Sequence, residues 1–201
     1  MIQADLHIHT KYSLDSSINP KSLVDQLCAH PSIKVIAITD HNTLEGYHKV
    51  RELVFAYPDI LVIPGIEVGT PVGDLIVLGA DEMPPRPWDV KEVISFAKDK
   101  DCIVIVPHPY REYGLRNSAK YYGVDAIETL NGCAPSNINK LAENLAKEMR
   151  LPGVAGSDAH KIDELWTVCN EIQASLDIDE ILNALKKGLV KVFPTGKSIR
   201  F

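Results

Sequence analysis

Short β-branched runs alternate with helical stretches along this chain of 201 residues, and no other feature constrains its fold as strongly. Strands that alternate with helices pair in parallel through right-handed crossovers. Seven strands are predicted, over residues 4–9, 35–39, 60–64, 75–78, 103–106, 125–129 and 154–155. Helices are predicted over 20–30, 44–56, 88–98, 137–149 and 179–189, with a helical turn at 118–122 and an extended tail over 191–201.

Seven strands in this alternation form either a small barrel or an open doubly wound sheet. The first strand is followed by neither G-x-G-x-x-G nor a P-loop, so the open sheet lacks its usual nucleotide-binding signature. The third and fourth strands are exceptional, because only a short Gly-rich segment separates them. No repeat, low-complexity segment or linker divides the sequence, which indicates a single domain over residues 1–201.

Polar residues collect where the predicted strands end. They are His7, His9, Asp40, His41, Glu67, Asp81, His108, Asn131, Asp158 and His160. In a parallel barrel the carboxyl-terminal ends of all strands open onto one face, where such enzymes place their active sites. Five of the seven histidines fall at these ends, whereas chance would scatter them over helices and loops.

The spacing of these residues is typical of a metal site. His7 and His9 are two residues apart on a strand, so both rings project from the same face and can bind one ion. Asp158 and His160 repeat that spacing with one carboxylate. Glu67 alone could be a solvated strand end or a helix cap, but its two oxygens could also bridge two cations if the other ligands converge.

The donor set combines nitrogen and oxygen without a thiolate, which suits zinc, manganese or iron better than calcium or magnesium. The four cysteines are scattered and form no C-x-x-C pair.

Composition narrows the class of partner. The formal net charge of −6 does not favour the broad basic surface that duplex nucleic acid requires, although a short nucleotide substrate remains open. Neither a signal peptide nor an apolar run of roughly 20 residues is evident. We therefore expect a cytoplasmic protein that does not bind membranes.

Five segments together resemble the PHP family, the polymerase and histidinol phosphatase domain of metal-dependent phosphoesterases. They occur in the family's order, between Met1 and about Lys161, and are residues 5–10 (DLHIHT), 38–42 (ITDHN), 64–67 (PGIE), 106–109 (VPHP) and 156–160 (GSDAH). The resemblance implies an α/β fold, a distorted seven-stranded (β/α)7 TIM-like barrel. It also implies a cluster of two or three divalent ions: zinc, manganese or iron.

The same resemblance assigns ligands to the three ions. It implies that the first ion is bound by His7, His9, Glu67 and Asp158. Glu67 would bridge to the second ion, which His108 would also bind.

The third ion would be bound by His41 and His160, and two positions depart from the histidine-rich pattern of the family. Asp15 stands where some relatives place a third-site histidine, and Asp81 stands where a second-site histidine is often found. Aspartate can bind metal at both places. Asp40 is expected to orient a ligand or the loop rather than to bind an ion.

The resemblance implies hydrolysis of a phosphate ester by a hydroxide that bridges the ions, with Glu67 and Asp158 as catalytic residues. Arg111 is the candidate for a bidentate phosphate contact; Arg116 also follows the strand end of His108, and Lys197 is a further cation in the tail. The expected substrate is a small phosphorylated compound or a short nucleotide. Two alternatives remain: an amidohydrolase-type metal-dependent hydrolase, and a non-catalytic metal-binding accessory module.

Overall fold

The computed structural model describes residues 1–196. This part of the chain contains nine strands and five α-helices. The strands are β1 (Ile2–Ile8), β2 (Ile33–Ile38), β3 (Leu61–Gly69), β4 (Asp74–Leu78), β5 (Ile103–Val106), β6 (Ala126–Asn131), β7 (Gly153–Gly156), β8 (Val168–Ile172) and β9 (Val190–Pro194). The helices are α1 (Pro20–Ala29), α2 (Glu45–Val54), α3 (Val90–Asp99), α4 (Ser136–Met149) and α5 (Ile178–Lys186), with short 3-10 helices over Arg116–Tyr121 and Ile162–Glu164.

All nine strands form one mixed sheet in the order β7-β6-β5-β4-β3-β2-β1-β8-β9. Strands β1, β2 and β3 are parallel to one another, and so are β5, β6 and β7. Strand β4 is antiparallel to both of its neighbours, β3 and β5. Strand β8 is antiparallel to β1 and to β9.

The α/β class is confirmed, but the prediction of seven strands in a (β/α)7 arrangement was wrong. The connection from β3 to β4 is only residues 70–73, which is long enough for an antiparallel hairpin but not for a crossover. Strand β8 was missed because Asn170 and Glu171 interrupt its apolar pattern. The predicted tail over 191–201 corresponds in part to β9, whereas Lys197 lies outside the described residues.

The sheet curves until β7 nearly meets β1, which gives a barrel-like shape. Beyond the end of β7, the Asp158 N–H donates to the His7 carbonyl at 2.8 Å, and the His9 N–H donates to the Ala159 carbonyl at 3.1 Å. Asn170 lies on β8, and its buried side-chain amide donates to the carbonyls of Ala4 on β1 and Ala155 on β7, at 3.1 and 2.7 Å. Its oxygen accepts the Ala155 N–H at 2.8 Å, so one side chain of β8 links β1 to β7.

Apolar side chains hold the helices against this sheet in two clusters. One cluster packs strand residues such as Ile36 and Val104 against α1, α2, α3 and α4. The other joins the strands to α5 through Ile181 and Leu185. Helices α1, α3 and α5 begin where the side chains of Asn19, Asp89 and Asp177 accept a backbone N–H of the first turn. Within residues 1–196, every helix is too short or too polar to cross a bilayer.

Replacing Asn170 with leucine should lower the free energy of unfolding by about 2–4 kcal/mol, because buried backbone groups of β1 and β7 would lose their partners. Urea denaturation measures the change. Asn183→Leu, at an exposed position on α5, is the control and should leave stability within about 0.5 kcal/mol of the wild type. Equal stability of the two variants would show that Asn170 does not hold the barrel closed.

Candidate metal centre

Side chains from the ends of several strands converge on one buried cluster. His7 and His9 come from β1 and the residue after it, Glu67 from β3, and His108 and Asp158 from the segments after β5 and β7. Within residues 1–196, four sets offer ligand atoms that all lie within 4.8 Å of one another. These sets are His7-His9-Glu67, His7-His108-Asp158, Glu67-Asp74-His108 and His9-His41-His160.

Glu67 lies at the centre of the cluster and is fully buried. Its Oε1 is 3.0 Å from His108 Nε2. Its Oε2 is 3.1 Å from His9 Nε2, 3.3 Å from His7 Nε2 and 3.3 Å from His41 Nδ1. Because the two oxygens face different imidazoles, this carboxylate has the geometry expected of a bridge between two cations.

The contact between His7 and His9 tests whether the donor set fits a metal ion. Their Nε2 atoms are 3.0 Å apart. His7 Nδ1 is 2.9 Å from a Glu128 carboxylate oxygen, which can only accept, and His9 Nδ1 is 3.2 Å from Ser13 Oγ, whose own proton goes to Asp40. Both Nδ1 atoms therefore donate, so the two Nε2 atoms face each other and, in the neutral imidazoles, could bind one cation together.

A third set of ligands lies nearer the surface. Asp15 Oδ2 is 3.4 Å from His41 Nε2 and 3.3 Å from His160 Nε2. His160 Nδ1 donates to the Asp158 carbonyl at 2.8 Å, which leaves Nε2 free to bind an ion. The His9 ring stacks on the His160 ring at 4.2 Å, so this set adjoins the buried one. The structure thus brings together the three residues that the sequence placed at one site.

Asp81 is not brought to the cluster, and this corrects the expectation that it binds the second ion. That expectation assumed a parallel β4, but β4 is antiparallel, so its first residue rather than the residue after its end lies at the cluster. Asp74 is that first residue, and it joins Glu67 and His108 in one ligand set. Asp81 instead lines a cleft with Leu61, at the opposite end of β3 from Glu67.

Arg111 is placed at the edge of the cluster. Its Nη1 forms an ion pair with Asp158 Oδ2 and donates to Asn131 Oδ1 at 3.2 Å. The Asn131 amide nitrogen in turn donates to Asp158 Oδ2 at 3.1 Å. Asp158 is thus positioned by two neighbours besides the histidines.

Asp40 holds the loop after β1, as expected from the sequence. Its Oδ1 accepts the Thr10 N–H at 2.6 Å and the Ser13 hydroxyl at 2.8 Å, and its Oδ2 accepts the Thr10 hydroxyl at 2.7 Å. Ser13 Oγ also accepts the His41 N–H at 2.9 Å. The Asp40 carboxylate therefore orients His9 and the His41 backbone through Ser13, which sequence analysis did not identify.

Glu128 is a second residue that sequence analysis missed. Its Oε1 faces His7, and its Oε2 accepts the His108 N–H at 2.7 Å and the Asn131 amide at 2.9 Å. It lies inside β6, whereas the predicted ligands lie at or after strand ends. The available signal was an acidic residue directly after the apolar pair Ala126 and Ile127.

Charges in the cluster shift the ionisation of its members. Burial alone would lower the pKa of His7, but the charges of Asp158, Glu128 and Glu67 raise that pKa well above its ordinary value. Burial would raise the pKa of Asp158, but the charge of His7 and the His9 hydrogen bond hold that pKa well below its usual range. The carboxylates thus stay ionised and draw positive charge into the site.

The pKa of Asp74 shifts in the opposite direction from those of Glu67 and Asp158. Burial and the charge of Glu67 together raise the pKa of its carboxyl to about 7. A nearby cation would favour its ionised form, as expected for a carboxylate at the margin of a metal site.

Comparison with known proteins relates this chain to a family. Residues 137–190 match the family described as PHP-associated. The uncharacterized protein MJ1587 of Methanocaldococcus jannaschii is 34% identical over 156 residues, which is 71% of this chain and 90% of that protein. The uncharacterized protein MJ0417 of the same organism is 30% identical over 205 residues, with coverage of 92% and 79%.

The solved structures that share the fold include three from different bacteria. PsfC from Pseudomonas syringae PB-5123 has a TM-score of 0.74 at 16% identity, covering 98% of this chain and 92% of that one. A protein of Bifidobacterium adolescentis described as a candidate metal-dependent phosphoesterase has a TM-score of 0.60 at 16% identity, covering 78% and 87%. An amidohydrolase from Chromobacterium violaceum has a TM-score of 0.63 at 15% identity, covering 79% and 88%.

At these low identities the solved structures show likeness of fold alone. The family match, the relatives and the motifs that meet at the cluster agree with one another, and the chain belongs to the PHP, or polymerase and histidinol phosphatase, domain family.

Proposed function

We propose that this protein hydrolyses a phosphate ester with the help of two or three divalent ions of zinc, manganese or iron. The observation that carries the proposal is the central position of Glu67, whose two oxygens face four imidazoles from three segments of the chain. His7, His9 and Asp158 would complete the first ion site. Asp74 and His108 would complete the second, with Glu67 shared between the two.

The third ion would bind to Asp15, His41 and His160. When bound, such ions activate water as a nucleophile and neutralise the charge of a phosphate group. The chain's own contribution is to fix the ligand geometry. Buried partners hold Glu67 and Asp158 ionised, and hydrogen bonds at Nδ1 direct Nε2 of His7 and His9 inward.

Arg111 would hold the substrate. Among the described residues, both of its polar contacts use Nη1, so Nη2 and Nε remain available for an anionic oxygen. The side chain is 34% exposed, which lets a ligand from solvent reach it. A planar guanidinium can bind two phosphate oxygens at once, in a way a lysine cannot. A small phosphorylated compound or a short nucleotide is the proposed substrate class.

A panel of phosphomonoesters, phosphodiesters and amides tests the reaction class. We expect turnover of phosphate esters by the zinc- or manganese-loaded protein. Turnover of amides instead would identify a hydrolase of the amidohydrolase type, and an inert protein that still binds metal would be an accessory module.

Removal of the metal should abolish hydrolysis, because the ions, and not the side chains that bind them, would activate the water and neutralise the phosphate charge. The purified protein should contain at least about two equivalents of zinc, manganese or iron, as expected where one carboxylate bridges two ions. Prolonged chelation should eliminate activity, and added manganese or zinc should restore it. Elemental analysis measures the metal content, and an activity assay of the same sample measures the rate of hydrolysis. Full activity after the metal has been stripped would contradict the proposal.

Replacing Asp15 with alanine should remove about one metal equivalent and lower kcat/KM about a hundredfold, because the third ion would stabilise the phosphate rather than the barrel. Metal analysis, kinetics and thermal unfolding are measured on the same variant. Asp25→Ala, which removes an exposed carboxylate on α1, is the control. If Asp15→Ala keeps both the metal content and the rate of the control, Asp15 is an ordinary loop residue.

Replacing Arg111 with alanine should raise KM for a phosphate ester about tenfold or more, through loss of a hydrogen bond to a charged group. Arg51→Ala is the matched control, since Arg51 lines the cleft at the opposite end of β3. Steady-state kinetics at saturating metal compare the two variants. Equal KM values would remove Arg111 from substrate binding.

A further inference from the structure

Glu128 is buried, and the hydrogen bonds that its carboxylate accepts from the described residues come from His7, His108 and Asn131, at the metal centre. Its Oε1 accepts a hydrogen bond from His7 Nδ1, with 2.9 Å between the two atoms. Its Oε2 accepts the backbone N–H of His108 at 2.7 Å and the Asn131 amide at 2.9 Å. His7 faces Oε2 of Glu67 and His108 faces Oε1, and both rings also belong to one ligand set with Asp158.

The contact with His7 fixes a tautomer. A carboxylate cannot donate, so His7 must carry a proton on Nδ1 and present Nε2 to the centre. An acidic partner behind a ligand histidine also makes the imidazole a stronger metal ligand.

The contact with His108 holds the backbone conformation at that residue. His108 has a φ of 26°, a conformation that a residue with a side chain rarely adopts. The Nδ1 atom of its ring is buried and has no hydrogen-bond partner among the described residues. Within the described part of the chain no hydrogen bond fixes the ring at Nδ1, so its direction depends on the Nε2 contact with Glu67 and on the strained backbone, whose N–H donates to Glu128.

Space for Glu128 is provided by a glycine in the adjacent strand. A Cβ atom at Gly156 would lie 2.4 Å from Glu128 Oε1 and 2.2 Å from the Cβ of His7. Any side chain at this position of β7 would separate the carboxylate from the imidazole.

From these contacts we propose that Glu128 is a positioning residue that orients His7 and His108 together and so joins the first and second ion sites. The inference rests on the metal binding described under the proposed function. It does not depend on which bond the enzyme hydrolyses.

Glu128→Gln tests the inference, because glutamine keeps the shape but offers only one acceptor oxygen. The backbone N–H of His108 cannot change its role, so the amide oxygen should turn to it and the amide nitrogen should face His7. His7 would then have to accept at Nδ1 and carry its proton on Nε2, the atom that would bind the ion. We expect zinc affinity, measured by competition with a chromophoric chelator, to fall about 10- to 100-fold.

Glu171→Gln is the matched control, since Glu171 lies on β8 and none of its side-chain atoms contacts the centre within the described range. It should bind zinc as the wild type does. If Glu128→Gln also binds zinc as tightly as the wild type, the inference is wrong while the proposed function stands. If the wild type itself binds no zinc or manganese, both fail.

A measurement on the wild type keeps the inference testable even if the variant does not fold. Nitrogen-15 NMR of the zinc-loaded protein, labelled at histidine, reports which ring nitrogen carries the proton. We expect His7 to be protonated at Nδ1, with that proton protected from exchange by Glu128. A His7 proton on Nε2 would overturn the inference.

Discussion

The burial of one charged carboxylate imposes the architecture around it. Glu67 is inaccessible to solvent, and a buried charge is costly unless it is paired and hydrogen-bonded. Its partners come from β1 (His7, and His9 just after it), from the segment after β2 (His41) and from the segment after β5 (His108). Curvature of the sheet brings these strand ends together, and it also brings the end of β7 against β1.

Three chemically different groups accept hydrogen bonds from the Nδ1 atoms of candidate ligand histidines. A carboxylate serves His7, a hydroxyl serves His9 and a backbone carbonyl serves His160. Each accepts a hydrogen bond from Nδ1–H, so each ring presents Nε2 to the centre. The groups that accept these hydrogen bonds thus orient the histidines that would bind the ions. The site therefore depends on residues that would not themselves bind an ion.

Sequence patterns predicted the parts of the site that depend on local spacing. The pairs at 7–9 and 158–160 and the acid at 67 follow from strand periodicity and strand ends. The direction of β4 could not be deduced from its own residues, and the second-site ligand was therefore sought at Asp81 rather than Asp74. Glu128 was missed for a related reason: local sequence does not tell which face of an inner strand points towards the centre.

The closure of β1 against β7 determines when the metal cluster can form during synthesis of the chain. The backbone N–H of Ser157 donates to the Asp5 carboxylate, two residues that are 152 positions apart in the sequence. Contacts of such separation form late, because most of the chain must be ordered before they close. A nascent chain exposes its first two histidines long before their partners are translated. The cluster can therefore be complete only after Asp158 and His160 have been translated, and no amino-terminal fragment that stops short of β7 can assemble it.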